Sequence, residues 1–205
     1  MTHDALAPAG GWHTKTTPRM LPPGPAARSL LFRAVSRFSG VFGRRHVPDV
    51  FTLMNRNPRL FWAWLFFASR LMPWGKLPAA TREMIILRTA WNCRSRYEWG
   101  QHVEIALRTG VTDDEIIAIS RGPDAFAEDV SCALMRACDE MIADKCISDA
   151  TWQTLSARYS EKLLIEIMIL IGHYEMLAGF LNSSGLPLEP DTETALQAFY
   201  QRIRP

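Results

Sequence analysis

The chain reads as an all-α single domain, and three observations carry that reading. Apolar residues recur at spacings of three and four along successive segments between Asp49 and Ile203. Helix-start residues stand ahead of those segments, and Gly or Pro stands behind several of them. No stretch alternates apolar and polar residues as a half-buried strand would. Consecutive helices joined by short turns bury their apolar stripes against one another, which gives a helical bundle around one core. With 205 residues, 48% of them hydrophobic and 21% charged, the chain is large enough and apolar enough to build that core.

Residues 1–28 contain Pro8, Pro18, Pro22, Pro23 and Pro25 with Gly10, Gly11 and Gly24. Such a segment interrupts helices and offers little to bury, so it is read as an extended or disordered N-terminal arm, with a strap across a neighbouring subunit as the alternative. The helical domain then occupies residues 29–205. Ser29 to Gly40 (SLLFRAVSRFSG) sets Leu30, Leu31, Ala34, Val35 and Phe38 against Arg33 and Arg37, a packed surface helix rather than a membrane-surface one. Asp49 caps a short helix to Asn55, and Asn57-Pro58 opens the next. Arg59 to Met72 (RLFWAWLFFASRLM) is apolar almost all round and belongs in the core, at a subunit interface, or along the wall of an apolar pocket. Pro73 and Gly75 end it.

Leu77 to Gly110 (LPAATREMIILRTAWNCRSRYEWGQHVEIALRTG) predicts two helices joined near Asn92 to Arg94, the first opening at Pro78. On the first, Glu83 shares a face with Ile86, Leu87 and Ala90. On the second, Ser95, Glu98 and His102 stack at spacings of three and four among Trp99, Val103, Ile105 and Ala106. Arg94, Tyr97, Gln101, Glu104 and Arg108 take the opposite, wet face. Further on, Thr112 with Glu115 forms a capping box for Asp113 to Ser120, and Gly122-Pro123 breaks the chain. A long helix covers Asp124 to Ala143. Ser148 caps Asp149 to Arg158, and Ser160 caps Glu161 to Ser183, which Gly185 and Pro187 close. Asp191 starts a last helix through Ile203.

A carboxylate and an imidazole on an apolar stripe must be paired, protonated or functional, because burying an unpaired charge is costly. His102 is the candidate acid/base, with Glu98 and Glu83 as carboxylates that orient it or carry a second proton. Ser95 and Cys93 are candidate substrate contacts beside them. Arg94 and Arg96, at the rim, would draw in an anion or form surface salt bridges. Glu166 and His173, on one side of the apolar helix after Ser160, are expected either to face the first pair across a pocket or to satisfy a neighbouring backbone or subunit.

The same residues resemble the carboxymuconolactone decarboxylase family, which includes the alkylhydroperoxidase-D-like proteins. Redox members of that family place a Glu upstream of a C-x-x-C, then a His and a helix ending in Gly. Aligned on His102 and Gly110, Glu83 falls at the Glu, and Ser95 and Glu98 fall where the two redox cysteines stand. The run YEWGQH resembles the non-redox, lactone-decarboxylase-like branch. The resemblance covers residues 50–110, and LLIEIMILIGHYEMLAGFLNSSGLPLE extends it towards residue 189. It implies an alkylhydroperoxidase-D-like helical bundle assembled as a homotrimer or hexamer. It also implies lyase-type, cofactor-independent acid/base chemistry, decarboxylation or isomerisation, on a small cyclic organic acid or lactone. The alternatives are an alkylhydroperoxidase (peroxiredoxin-type) activity through Cys93, or a metal-binding or ligand-binding oligomer without catalysis.

Composition narrows the partners. A net charge of +2 makes no electrostatic case for nucleic acid. The four cysteines form no C-x-x-C and match no zinc spacing, so reduced thiols in a cytoplasmic protein are expected, with no metal and no cofactor. The N-terminus lacks the apolar run of a secretion signal. Leu163 to Ile171 is too short an apolar run to span a membrane, so no membrane partner is expected.

Overall fold

In the computed structural model the described residues are 4–24, 32 and 47–204. The helix expected at Ser29 to Gly40 lies, apart from Phe32, outside them. Among the described residues the chain is all-helical, with nine α-helices and no strand. They are α1 (Asp49–Met54), α2 (Pro58–Ser69), α3 (Ala79–Asn92), α4 (Arg96–Arg108), α5 (Asp113–Arg121), α6 (Asp129–Asp144), α7 (Asp149–Arg158), α8 (Glu161–Ser184) and α9 (Pro190–Ile203).

The helix α3 is the axis of the bundle. It packs against α4, α6 and α8, and Ile85, Ile86, Leu87 and Ala90 keep no exposed surface. A helix apolar on this many faces has no wet side to present, so it must run through the middle. Each fully buried Ile or Leu contributes about 1.5–3 kcal/mol relative to exposure. Helix α8 supplies Leu164, Ile167, Leu170, Ile171, Leu177 and Leu181 to the same core. By length and composition its 24 residues would suffice to cross a membrane, more than the run Leu163 to Ile171 indicated. Its inner face is instead taken up by α3, α6 and α7.

Three expected caps form, whereas Asp49 is the first residue of α1 and does not cap it, the N-cap position being Pro48 without a side-chain bond. Thr112 and Glu115 form the expected box, Ser148 accepts from the Thr151 amide, and Asn57 accepts from the Leu60 amide. Gly185 ends α8 at φ +69°, in the left-handed region that only Gly enters without strain. Ser160 sits at the N-cap position of α8 but its side chain makes no capping bond. Two boundaries differ by more than two residues, the first being the end of α2, which stops at Ser69 and does not run on to Met72. The helix expected from Asp124 begins only at Asp129, because Pro123–Ala125 forms a separate 3-10 turn after Gly122 at φ +116°.

Part of the face of α4 expected to be wet is covered. Tyr97 and Gln101 are each only 5% exposed, because Glu189, just before α9, reaches both. The Tyr97 hydroxyl donates to Glu189 Oε1 at 2.7 Å, and the Asp49 amide donates to the same oxygen at 2.6 Å. One carboxylate thus ties α1, α4 and α9 together. Residues 4–24 form no helix and lie along the α3–α4 junction and the end of α8. Trp12 meets Trp91 edge-on at 5.4 Å and Trp99 at 5.8 Å. The Arg96 fork holds Asp4 and Glu193 at once, and Arg94 donates to the Gly10 and Gly11 carbonyls. A cavity of about 370 Å³ lies between this arm and the α8–α9 connection, lined among others by His13, Lys15, Arg96 and Asn182.

Candidate active site

The centre of the site is one carboxylate. Glu83, in the second turn of α3, has no exposed surface. Its Oε2 lies 2.7 Å from His102 Nδ1 on α4, and its Oε1 accepts from Arg82 Nε at 3.1 Å. An acceptor-only carboxylate bonded to Nδ1 fixes the neutral imidazole with its proton on Nδ1, so that Nε2 is the free acceptor. The Tyr174 ring closes over His102 edge-on at 5.1 Å, and His102 is 6% exposed.

Glu98 is the unusual member. It is 2% exposed, and neither of its carboxylate oxygens has a hydrogen-bond partner. Burial pushes its pKa well above the usual 4.5, and the nearby Ser95 hydroxyl, outside hydrogen-bonding geometry, offsets that only in part. The dominant cause is desolvation, which penalises the charged form and favours the neutral carboxylic acid. Ser95 is itself fully buried with an unpartnered hydroxyl oxygen. Ser95, Glu98 and His102 follow one another up α4, so the orphaned acid is the helical neighbour of the imidazole.

The remaining candidates fall elsewhere. Cys93 follows the last residue of α3, and its thiol is pushed up to about 12, by burial first and then by Glu98 and Glu175. Cys138, fully buried, is also raised to about 12 by burial. Such thiols are almost wholly protonated at neutral pH and make poor nucleophiles. Glu166 does not face His102: its carboxylate accepts the Lys76 and Leu77 amides at 2.8–3.0 Å and so anchors the approach to α3. This is the backbone-satisfying role expected as its alternative. His173 stacks on Trp64 of α2 at 5.9 Å and lies beside Phe67 at 5.5 Å, and burial lowers its pKa to about 4. The same Tyr174 ring that meets His102 meets His173 at 5.2 Å, so the two imidazoles are separated by a tyrosine, not a cavity. Arg94 and Arg96 are bound to the arm and to Glu193 and do not guard a rim. Among the described residues no cluster of His, Cys, Asp and Glu has the arrangement of a metal site.

Sequence reasoning missed Arg82. The residue precedes Glu83 and stands outside the apolar stripe, so periodicity gave no reason to bury it. Its neighbour in sequence is also its ion-pair partner, which was the one signal available.

Residues 58–138 match the carboxymuconolactone decarboxylase family. These residues, from α2 into α6, are similar to that family. No curated protein matches the chain by sequence. Among solved structures, the debrominase Bmp8 aligns over 90% of this chain and all of its own, with a TM-score of 0.73 at 17% identity. A variant of Bmp8 in complex with 2,3,4-tribromopyrrole aligns at TM-score 0.73 and 18% identity, over 91% of this chain and 99% of its own. An uncharacterised peroxidase-related protein from Ralstonia eutropha JMP134, an alkylhydroperoxidase D core, aligns at 0.74 and 18% identity, over 87% of this chain and 95% of its own. At such identities these likenesses establish the alkylhydroperoxidase-D-like fold, and the fold hosts more than one chemistry.

Proposed function

We propose that this protein, similar to the carboxymuconolactone decarboxylase family, moves protons rather than electrons, decarboxylating or isomerising a small cyclic organic acid or lactone without a cofactor. One observation carries the reading. A carboxyl whose neutral form burial favours (Glu98) stands one helical turn from an imidazole whose free nitrogen is a base (His102 on Glu83). An acid favoured by burial and a base with one ring nitrogen free divide the work of acid and base between them.

In a decarboxylation, the bond between the ring carbon and its carboxylate breaks and CO₂ departs. The electron pair enters the conjugated lactone carbonyl. Glu98 then delivers its proton to carbon, and water restores it. In an isomerisation, His102 Nε2 removes a proton from carbon and Glu98 returns one elsewhere on the conjugated system. The small ring in the Bmp8 complex supports a planar cyclic substrate for this fold. The raised Cys93 and Cys138 thiols weigh against peroxide reduction. The proposed homo-oligomer, a trimer or hexamer, is supported by apolar side chains left exposed on the described surface. Phe66 of α2, Trp74 after it, and Ile165 and Met176 of α8 stand more than half exposed, and α2 and α8 meet at Phe67 and His173.

The test is turnover of carboxylated unsaturated lactones, followed by CO₂ release and ring absorbance. His102→Gln is expected to lower turnover about 10²–10⁴-fold, the usual share of a positioned acid or base. Cys93→Ser is expected to leave it unchanged. Loss of turnover in Cys93→Ser with His102→Gln intact would reverse the assignment.

A further inference from the structure

The α3–α4 pair carries a guanidinium with a use still open. Arg82 is 7% exposed, and within the described residues its bond is the one from Nε to Glu83 Oε1. Its Nη1 and Nη2 donors have no partner there. The neighbouring arginines differ. Arg88 spends its fork on Asp139 and its Nη1 on the Ile119 carbonyl. Arg94 and Arg96 are held by the arm and by Glu193. Arg82 is also the fourth residue of α3, near the positive end of the helix dipole, where a cation is disfavoured. A mostly buried cation in that place, whose Nη nitrogens keep some contact with solvent and meet no described residue, can receive an anion there.

We propose that Arg82 is the carboxylate-binding residue of the site, taking an oxygen pair of a small organic acid on Nη1 and Nη2. The planar fork matches a carboxylate in two parallel hydrogen bonds. Glu83 bridges this anchor to the base: Arg82 holds one oxygen of its carboxylate and His102 the other. A substrate gripped by Arg82 is thereby linked to the imidazole through the Glu83 carboxylate. Ion pairing stabilises a carboxylate in the ground state, so in a diacid the anchored group is the one retained and the carboxylate lost is the other one. This proposal rests on the acid/base reading of His102 and Glu98 for its meaning, but its test does not.

Benzoate and its uncharged isostere benzamide are the probes, titrated calorimetrically into the wild type, Arg82→Gln, Arg82→Lys and His102→Gln. The wild type is expected to bind benzoate and to discriminate against benzamide. Arg82→Gln should weaken benzoate about ten-fold or more, the loss expected when hydrogen bonds to a charged group are removed, with benzamide unchanged. Arg82→Lys, keeping charge without the fork, should fall between. His102→Gln should keep benzoate binding while losing lactone turnover, which separates the anchor from the chemistry. If Arg82→Gln fails to fold, Arg82→Lys and a wild-type crystal soaked in benzoate decide, with the carboxylate expected on the two Nη atoms. Equal affinity for the two probes in the wild type, undiminished benzoate binding in either Arg82 variant, or a carboxylate seated elsewhere would overturn the proposal.

Discussion

Replacing Glu98 by Gln should stabilise the protein at neutral pH and silence its turnover. The carboxyl is buried without a hydrogen-bond partner and its pKa stands well above the usual 4.5. The unfolded chain ionises Glu98 near 4.5, whereas the folded chain holds the proton to higher pH. The native state therefore binds more protons than the unfolded one throughout that window, and stability falls as pH rises through it. Below 4.5 the side chain is neutral in both states and costs nothing. Each pH unit between 4.5 and the folded value removes about 1.4 kcal/mol. Gln has nearly the same shape and no charge to lose, so the variant should lack this slope. The check is urea denaturation of both proteins from pH 4 to pH 8, with the two curves meeting at the acid end and diverging above it. Turnover should fall about 10²–10⁴-fold, because Gln cannot donate the proton that the carboxylic acid supplies.

The second large effect is at Glu83. Glu83→Ala removes the acceptor of both Arg82 Nε and His102 Nδ1, two groups less than 10% exposed. Breaking a buried pair by deleting one partner strands the other, at a cost of about 3–5 kcal/mol. The guanidinium is the more expensive orphan because it cannot shed its charge. Glu83→Gln keeps one acceptor oxygen and should cost less, while still releasing the imidazole from its fixed tautomer. Chemical denaturation should rank the wild type above Glu83→Gln and Glu83→Ala last. Turnover should fall in both variants, because an unanchored His102 no longer presents Nε2 reliably. A Glu83→Ala midpoint indistinguishable from the wild type would mean that the triad carries no structural weight.

The pairing of Glu83 with His102 was legible in the sequence, because helical spacing places each on an apolar stripe of one of two adjacent helices. The order of helices, the Thr112–Glu115 box and the Gly185 stop were legible for the same reason: they are local. What was not legible is what distant chain does to a surface. Tyr97 and Gln101 read as wet on their own helix, and only Glu189, about ninety positions later, covers them. Arg94 and Arg96 read as rim charges until the arm folds back onto them. Glu166 read as a possible site acid, since a carboxylate on an apolar helix looks the same whether it faces a side chain or the Lys76 and Leu77 amides. The long-range partners of the arginines decide the site's charge, and no periodicity records them. Arg82 is the consequence. It becomes conspicuous only after its three neighbours have been accounted for.

The most direct measurement is the protonation state of Glu98 itself, read by infrared difference spectroscopy of the wild type against Glu98→Gln at neutral pH. A buried carboxylic acid shows a carbonyl stretch that the Gln variant lacks, and that band should persist well above pH 4.5. A carboxylate signature for Glu98 at neutral pH would remove the proton donor, and the division of acid and base between Glu98 and His102 would fail with it.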